Sequence, residues 1–383
     1  MVRLEVVSRL DRLRGFFAGF PFVEWGLALA IGAIGVVFIH SATLDDENFA
    51  GQAPRHAAAL VALALLMAPV AYLPRARLLR AAWLVYCGAV VMLALVPVFG
   101  VTINGAKRWF RVAGTSIQPT ELLKPALILV LARWLRFRSK AGFVESVGVP
   151  LALTVVPFLL MVRQPDLGSA LSLLPVLLAM CWVSGARART LIAIAVLGVL
   201  CLVAVFPALH GYQKERILVW LAQSEMSQVQ RSGAGYHLWQ SLVAVGSGGL
   251  TGSGLFEGLQ NRFDFLPYRS TDFLFAVVAE ETGLVGGLTM IAVYLGFCIL
   301  MLRRAARIRD RFGRLLAAGV AAYFATHLFI HVGVCTGLLA PTGLPLPLLS
   351  YGRSSLIGAW AALALFAHAS LQRERNLSGD MFL

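Results

Sequence analysis

The chain has 383 residues, of which 59% are hydrophobic and only 14% charged, and its mean hydropathy is +0.78. A composition this apolar excludes a soluble protein of one or two domains and indicates an integral membrane protein. The formal net charge of +14 would suit a nucleic-acid-binding protein, but the basic residues lie in short loops between apolar segments, so no nucleic-acid partner is expected.

Ten apolar segments dominate the chain. A segment of about 20 apolar residues that crosses a bilayer must be helical, because its backbone has to satisfy its own hydrogen bonds there. The sequence therefore predicts an all-α integral membrane protein with ten transmembrane helices. The predicted spans are residues 22–41, 56–73, 81–100, 117–135, 146–163, 167–184, 190–209, 272–302, 314–337 and 354–371.

The basic residues predict the orientation of these helices. Ten spans place both termini on one side of the membrane, and the net positive charge falls on the segments that share that side. Cytoplasmic loops are enriched in lysine and arginine, so both termini are expected in the cytoplasm. The chain then divides into an amphipathic cytoplasmic lead (1–21), one ten-helix transmembrane domain (22–371) with a large outer loop between helices seven and eight (210–271), and a cytoplasmic tail (372–383).

The stretch from residue 104 to residue 124 carries unusual charges. Lys107, Arg108 and Arg111 put positive charge on the outer side, which suits an anionic ligand such as a phosphate or diphosphate head group. The fourth span reaches bilayer length only if Glu121 and Lys124 lie within it, three residues apart on one face. An ionisable pair at membrane depth indicates a functional site, and a salt bridge that fixes the helix position is the alternative.

A polar turn follows the fifth span. Pro165 and Gly168 interrupt the apolar pattern and leave Gln164 and Asp166 at a helix terminus on the outer side. Taken alone, this motif is no more than a polar connection between two helices.

The long outer loop begins with the charged sequence YQKERI, which contains Lys214 and Arg216. Loops of this length are often functional. Within it, residues 237–245 could re-enter the membrane as a short helix, which is tolerated where the backbone is buried in protein or lines a cavity.

Asp272 is the candidate catalytic residue. It follows a glycine-rich run and directly precedes an apolar helix, so the simplest interpretation is a helix-capping carboxylate. However, residues 282–302 can already span a bilayer, which places Asp272 about 15 Å further out on a continuous helix, at the outer membrane surface. Glu280 is expected to face the same cavity, although it and Glu281 could simply anchor the helix at the interface.

The last two spans contribute two more polar features. His327 and His331 lie one helical turn apart and could ligate a metal, but no third ligand is near them, and hydrogen bonds between helices are a sufficient explanation. Residues 341–355 contain three prolines and two glycines and are expected to form a rigid, non-helical outer loop.

Seven motifs together resemble the SEDS family of RodA, FtsW and SpoVE, the polytopic proteins of cell elongation, division and sporulation. They occur in family order and cover most of residues 104–356. The motifs are GAKRW, QPTELLK, QPDLGSAL, YQKERI, AVGSGGLTGSGL, LPYRSTDFLFAVVAEETGLVG and TGLPLPLLSYGRSS.

The resemblance implies a peptidoglycan glycosyltransferase in the bacterial cytoplasmic (inner) membrane. Such an enzyme polymerises lipid II, an undecaprenyl-pyrophosphate-linked substrate, beside membrane lipid and with a class B penicillin-binding protein docked near helices eight and nine. The family's essential loop aspartate corresponds to Asp272, and its membrane pair to Glu121 and Lys124. Other positions expected to bind substrate are Lys107, Arg108, Trp109, Gln164, Asp166, Lys214, Arg216, Glu280, Ser350 and Tyr351.

The expected reaction is the attack of a sugar 4-hydroxyl on the anomeric carbon of a lipid-linked sugar, with inversion. Asp272 would be the general base, its pKa raised by partial desolvation. No metal-ligand set and no cofactor are predicted, although a divalent cation (Mg²⁺ or Mn²⁺) would be compatible with diphosphate chemistry. A lipid II flippase, a scaffold that recruits the penicillin-binding protein, and a division-type polymerase resembling FtsW rather than RodA are the alternatives.

Four positions depart from the usual family pattern. Tyr268 replaces an acidic residue, Ser253 a lysine, His331 an asparagine and Arg353 a glycine. These changes leave Asp272 in place but alter the charges around the outer loops, and thus the groups that could hold the diphosphate.

Overall fold

The computed structural model describes residues 19–44, 49, 51–103, 106–112, 115–137, 142–208, 211–225, 233, 235–263 and 265–378. Most of the predicted cytoplasmic lead and the end of the predicted tail lie outside the described residues.

Ten helices of the described chain overlap the ten predicted spans. Each forms where the apolar pattern places it, and most of the breaks between them fall at Gly, Pro or polar residues. These helices are α1 Phe22–Ala42, α2 Gln52–Met67, α3 Arg75–Phe99, α4 Pro119–Leu135, α5 Val149–Arg163, α6 Leu167–Val183, α7 Ala188–Val205, α11 Leu274–Arg307, α12 Arg311–Cys335 and α13 Arg353–Ser378. Between α7 and α11 lie α8 Gly211–Leu221, α9 Tyr236–Ser247 and α10 Leu259–Arg262.

Seven helical segments of the described chain are long and apolar enough to cross a membrane, so the protein is a predominantly helical, multi-pass membrane protein. Among the other predicted spans, α6 and part of α7 are shorter apolar helices, and α4 carries Glu121, Lys124 and Arg133. The number of crossings therefore stays a prediction. The seven segments are Phe22–Ala42, Gln52–Tyr72, Arg75–Phe99, Val144–Arg163, Leu274–Arg307, Arg311–Cys335 and Arg353–Leu371.

The helices form a buried centre and an apolar outer layer. Helices α4, α12 and α13 are buried along most of their length, and Tyr323 and Trp360 have no exposed surface. In contrast, Leu65 of α2 and Leu84 of α3 are 71% and 77% exposed. Large exposed apolar side chains on a whole outer layer are expected where lipid replaces water as the solvent.

Loops that the sequence assigns to the same side of the membrane contact one another. At the end predicted to be cytoplasmic, Arg75 forms a 2.8 Å ion pair with Asp310, and Arg304 forms a 2.6 Å ion pair with Glu24. At the other end, Gly168 packs against Thr342. The bundle thus has two distinct ends whose composition agrees with the charge argument.

A small antiparallel sheet corrects the all-α prediction. Strands β1 Val101–Ile103, β2 Ala106–Val112 and β3 Thr115–Ile117 lie in the order β1-β2-β3, with Val101 opposite Trp109 and Phe110 opposite Ile117. The segment is rich in β-branched and aromatic residues, and Asn104-Gly105 is a hairpin sequence. The hairpin pattern is present in the sequence, but it lies between two strong helical segments, and its charged residues indicated a ligand site.

Helix α11 is not the single continuous helix assumed in placing Asp272. It begins at Leu274 and breaks at Gly283, whose φ of 66° lies in the left-handed region that glycine tolerates. A Cβ at Gly283 would lie 2.4 Å from the backbone nitrogen of Gly252, and one at Gly248 would lie 2.0 Å from the carbonyl oxygen of Ala279. The glycine-rich loop therefore packs with its backbone directly on α11.

The long outer loop is largely structured. The short helix predicted at residues 237–245 is present as α9, which packs against α11 and α12. The Ser241 hydroxyl donates to the Cys335 carbonyl at 2.9 Å, and the Trp220 indole of α8 donates to the Gly337 carbonyl at 2.8 Å. Both contacts fix the loop on the end of α12, beside the segment that carries Asp272.

Candidate active site

Asp272 lies in a tight turn just before α11. The backbone N–H groups of Thr271, Asp272 and Phe273 all donate to the carbonyl of Tyr268, at 3.0, 3.0 and 3.3 Å. Tyr268 itself has a φ of 55°, an uncommon conformation for a residue with a side chain. The N-cap position of α11 is Phe273, so the interpretation of Asp272 as a simple helix cap is wrong.

Groups from four separate elements surround Asp272. A Cβ on Gly343 would lie 3.3 Å from its Oδ2 atom, so the loop after α12 runs directly beside the carboxylate. The Cys335 thiol at the end of α12 lies 3.8 Å from the Asp272 carbonyl oxygen. Arg216 of α8 and Arg108 of β2 are both within electrostatic reach of the carboxylate.

These surroundings make Asp272 a better base than an ordinary aspartate. Burial raises the pKa of Asp272 from 3.8 to about 6, against the opposing effects of Arg216, a hydrogen bond from Thr271 and Arg108; the Asp166 carboxylate adds to the rise. The residue as a whole is half-buried and not sealed. A carboxylate with this pKa is charged at neutral pH and accepts a proton more readily than a fully solvated one.

Arg108 joins the sheet to the turn between α5 and α6. Its Nε donates to the Gln164 carbonyl at 3.1 Å, a terminal nitrogen donates to the Pro165 carbonyl, and Nη1 lies 3.8 Å from Asp166 Oδ1. Asp166 also accepts from Gln118 Nε2 at 3.2 Å and caps α6 through the Ser169 N–H at 3.4 Å. The sequence prediction that Asp166 lies at a helix terminus is confirmed.

The neighbours of Arg108 on β2 point elsewhere. Successive side chains of a strand alternate between its two faces. Lys107 donates to the carbonyls of Pro97 and Val98 at the end of α3, at 2.8 and 3.0 Å. Trp109, half-buried, pairs across the sheet with Val101. The structure therefore brings Arg108 to Asp272 without bringing Lys107 to it.

The predicted Glu121 and Lys124 pair is present and has a third member. Lys124 Nζ lies 2.6 Å from Glu121 Oε1 and 2.9 Å from His327 Nε2. His327 Nδ1 lies 2.9 Å from the Tyr323 carbonyl and donates to it, so Nε2 accepts from the ammonium and the imidazole is neutral. Glu121, Lys124 and His327 are all at most 3% exposed. Such sealing favours the interpretation of this pair as a packing interaction.

The loop after α12 reaches the Asp272 turn through the backbone. Tyr351 N–H donates to the Ser270 carbonyl at 2.9 Å. The Ser350 hydroxyl accepts from the Leu346 N–H at 3.0 Å, which stabilises the loop itself. The segment from Pro341 to Gly352 is non-helical, as its prolines predict.

Other side chains that were predicted to bind substrate form hydrogen bonds with the protein backbone instead. Glu280 is buried and accepts from the Gln260 N–H at 2.8 Å, while Glu281 accepts from the Phe256 N–H at 3.3 Å. Both therefore hold the loop of residues 256–260 on α11. That they anchor the helix at the membrane interface stays a prediction. Gln164 donates its side-chain amide to the Leu93 carbonyl at 2.6 Å. Lys214 is half-buried on α8.

The described residues contain no group of three or more His, Cys, Asp and Glu side chains arranged to hold a metal ion. His327 and His331 each bond to protein groups instead of sharing a ligand. A Mg²⁺ or Mn²⁺ ion at Asp272 would therefore need oxygens from a substrate diphosphate or from water.

Comparison with known proteins decides the family. The family described as "Cell cycle protein", which covers FtsW, RodA and SpoVE, matches residues 22–375. The chain belongs to this SEDS family. Motifs on the sheet, the α5–α6 turn, the Asp272 turn and the loop after α12 carried the resemblance, and these are the elements that meet at Asp272.

Relatives of this SEDS protein carry names that state an activity. The peptidoglycan glycosyltransferase MrdB of Escherichia coli is 38% identical over 282 residues, which are 73% of this chain and 75% of MrdB. The peptidoglycan glycosyltransferase RodA of Treponema pallidum is 29% identical over 428 residues, covering 92% of this chain and 98% of RodA.

Solved structures of the SEDS family share the fold. A chain from a structure described as coordinating polymerization and crosslinking in a peptidoglycan synthase complex matches with a TM-score of 0.77 at 32% identity, covering 92% of this chain and 98% of that one. Thermus thermophilus RodA matches with a TM-score of 0.69 at 30% identity, covering 94% and 99%.

Three contributors to the site were not predicted from the sequence. Gly343 and Cys335 contact Asp272, and Gln118 holds Asp166. Gly343 follows Thr342 in a proline-rich loop, a pattern that indicates a close backbone approach but not its target.

Proposed function

We propose that this protein polymerises lipid II into glycan strands as the peptidoglycan glycosyltransferase of cell elongation. The observation that carries the proposal is the half-buried Asp272, whose carboxylate has a raised pKa, is within electrostatic reach of two arginines and lies in the turn just before a broken helix. The relatives named MrdB and RodA support this activity and favour an elongation role over a division role.

The reaction transfers a glycosyl group from a lipid diphosphate to a sugar hydroxyl. The oxygen of the acceptor 4-hydroxyl bonds to the anomeric carbon of the donor sugar, while the bond from that carbon to the diphosphate oxygen breaks. Asp272 takes the hydroxyl proton, and undecaprenyl diphosphate leaves with the bonding electron pair. Inversion at the anomeric carbon requires a single base opposite the leaving group, by analogy with inverting glycosidases.

Arg216 and Arg108 are suited to stabilise the departing diphosphate. Guanidinium groups bind phosphate oxygens with parallel hydrogen bonds, and they act most strongly where water is largely excluded. All three nitrogens of the Arg108 guanidinium already contact the α5–α6 turn, two as hydrogen-bond donors and one beside the Asp166 carboxylate. Arg216 is therefore the better candidate for direct contact with the diphosphate. Lys214 on the same helix would add charge near the membrane surface.

We place the Asp272 end of the bundle at the outer face of the bacterial cytoplasmic membrane. In this topology ten helices cross the bilayer, both termini are cytoplasmic, and residues 210–271 form the outer loop. Support comes from the basic residues concentrated at the opposite end of the bundle, as in other inner-membrane proteins.

The proposed partner is a class B penicillin-binding protein whose transmembrane helix docks on α11 and α12. Beyond Gly283, α11 exposes a run of apolar side chains, and Phe329 of α12 is 60% exposed. The solved complex of a related chain joins polymerisation to crosslinking, which supports a partnership of this kind. The exposed α11 side chains are Leu284, Val285, Leu288, Leu295, Ile299 and Leu302.

The test is polymerisation of labelled lipid II by the purified full chain, alone and with its transpeptidase, comparing the native protein with Asp272→Asn. Native protein should produce glycan in detergent, and the variant should fold but produce none. A flippase would move lipid II across liposomes and make no polymer in detergent. A scaffold would make no polymer unless the partner supplied it, and Asp272→Asn would then change nothing.

A further inference from the structure

His331 lies between the two segments that meet at Asp272. Its Nδ1 atom is 2.9 Å from the carbonyl oxygen of Leu344, in the loop after α12. Its Nε2 atom is 3.4 Å from the backbone nitrogen of Phe275, in the first turn of α11. The side chain is only 1% exposed, so water does not compete for either contact.

Each contact is adjacent to a group that defines the Asp272 environment. Leu344 follows Gly343, the residue that lies against Asp272 Oδ2. Phe275 is three residues after Asp272, in the turn of α11 whose N–H groups lack helical partners. One imidazole ring therefore bridges the loop that lies beside the carboxylate and the helix that directly follows Asp272.

We propose that His331 is a positioning residue for the transfer reaction: it holds the Gly343 loop and the first turn of α11 at a fixed separation, and thereby keeps the Asp272 carboxylate desolvated and aligned. This proposal rests on the proposed function of Asp272. His331 does not act on the substrate, since both of its ring nitrogens are engaged by the backbone.

The hydrogen bonds define the protonation state that this role needs. A carbonyl oxygen can only accept, so Nδ1 carries the proton and donates to Leu344. The Phe275 N–H donates to Nε2, which must then be unprotonated. His331 is therefore a neutral imidazole with one donor and one acceptor. An asparagine side chain also supplies one donor and one acceptor, whereas leucine supplies neither.

The loss of this bridge has a definite electrostatic consequence. The groups that act electrostatically on Asp272 from the packed elements are Arg216 of α8, Arg108 of β2, Asp166 before α6, and Cys335 of α12. In addition, His237 of α9 packs against Tyr268 and Phe273. Replacement of His331 removes none of these groups. If the Gly343 loop separates from the α11 turn, water reaches the carboxylate and the two arginines remain, so the Asp272 pKa should fall toward its ordinary value.

The experiment compares His331→Leu and His331→Asn in the full chain with its partner. His331→Leu should lower kcat for lipid II polymerisation roughly tenfold to hundredfold with little change in KM, because a small misplacement of a reacting group has effects of that size. In the pH dependence of kcat for this variant, the acid limb, where the rate falls as pH is lowered, should move to lower pH. His331→Asn should restore both quantities to near the native values.

His56→Leu is a matched control. His56 is buried, and its Nε2 lies 3.0 Å from the carbonyl of Leu348, four residues after Leu344 in the same loop. Its replacement should lower the unfolding temperature by an amount similar to that of His331→Leu and leave the acid limb in place. If His331→Leu also lowers stability without moving kcat or the acid limb, the positioning role is overturned.

Hydrogen–deuterium exchange separates this proposal from the proposed function. Peptides covering 272–278 and 342–348 should both exchange faster in His331→Leu than in His331→Asn and His56→Leu. Unchanged exchange in both peptides would overturn the bridge even if Asp272 is the base. If exchange rises as expected but Asp272→Asn still polymerises lipid II at the native rate, the proposed function fails and the bridge stands.

Discussion

Two of the described carboxylates, Glu121 and Asp272, stand near cationic side chains, and they differ in how close the cations lie and in how deeply the residue is buried. At Glu121, the Lys124 ammonium lies at 2.6 Å and is itself held by His327, and all three side chains are sealed. At Asp272, no ion pair closer than 4.0 Å is formed with the described residues, two arginines act from further away, and the residue is only half-buried.

This difference separates a carboxylate with a structural role from one that can act as a base. Glu121 is buried and directly paired through Oε1, while its Oε2 atom has no hydrogen-bond partner among the described residues; breaking the pair leaves an uncompensated charge. A carboxylate that is desolvated but not directly paired has a raised pKa and unoccupied acceptor positions, as expected for a general base. The contrast predicts that changes at Asp272 alter rate without reducing stability, whereas changes at Lys124 reduce stability first.

Asp272→Asn should have the largest effect on activity. Loss of a positioned base typically lowers the rate by about 10² to 10⁴. Burial raises the Asp272 pKa to about 6, so the folded state disfavours the charged carboxylate more than the unfolded state does. The free energy of unfolding therefore falls as pH rises from 3.8 toward 6, and the asparagine variant avoids this loss. The variant should therefore unfold at the same or a higher temperature at pH 7. Loss of activity accompanied by a large loss of stability would contradict the comparison.

Lys124→Met should have the largest effect on stability. Removal of one partner of a buried ion pair leaves the Glu121 charge uncompensated and typically costs about 3 to 5 kcal/mol. The measurement is thermal unfolding of the purified protein in detergent. The double variant Glu121→Gln, Lys124→Met removes both charges and should recover part of the loss. Full stability of Lys124→Met with no polymerisation would instead assign this pair to the reaction.

Arg216→Gln should shift the pH dependence in the opposite direction to His331→Leu. The Arg216 guanidinium lowers the Asp272 pKa, so its removal should raise that pKa above about 6 and move the acid limb of kcat to higher pH. Loss of a diphosphate contact should also lower kcat/KM, by roughly tenfold or more. Lys107→Gln is the control, because Lys107 bonds to the end of α3. Equal effects of the two substitutions would argue against the assignment of Arg216.

Gly343→Ala should have a smaller effect that tests the close approach of the loop. Gly343 has a φ of 69°, so alanine is strained there by about 1 kcal/mol, and its Cβ would lie 3.3 Å from Asp272 Oδ2. We expect a modest loss of stability and a several-fold loss of kcat. Gly249→Ala is the matched control, because Gly249 also has a positive φ of 52° and its new Cβ would have no atom within 4 Å. A Gly343→Ala variant with native kcat would show that the loop does not confine the base.

The sequence was sufficient to predict where the ten long apolar helices lie, but not the short helices α8 and α10. The length of each apolar segment determines this, and the Pro165 and Gly168 turn marked a boundary correctly. It was not sufficient for the sheet, because residues 101–117 combine a hairpin pattern with charges that indicated a ligand site. The apolar pattern also predicted an unbroken α11. The break at Gly283 depends on packing against Gly252, which lies in a loop about thirty residues earlier.

The candidate site was predicted in part for similar reasons. The turn before an apolar helix identified Asp272, and clustered charges identified Arg108 and Arg216. The sequence could not show that Lys107 and Trp109 point away from Arg108, since that requires the strand register. Nor could it show that Glu280 holds a loop or that Gly343 lies at the carboxylate, because both contacts join residues distant in the chain.

The most direct test of Asp272 as the base is the pH dependence of kcat for lipid II polymerisation by the native protein. The account predicts that the rate falls on the acid side around pH 6 and that this limb moves upward in Arg216→Gln. A rate that stays level from pH 7 down to pH 4.5, or an acid limb that persists unchanged in Asp272→Asn, would contradict it.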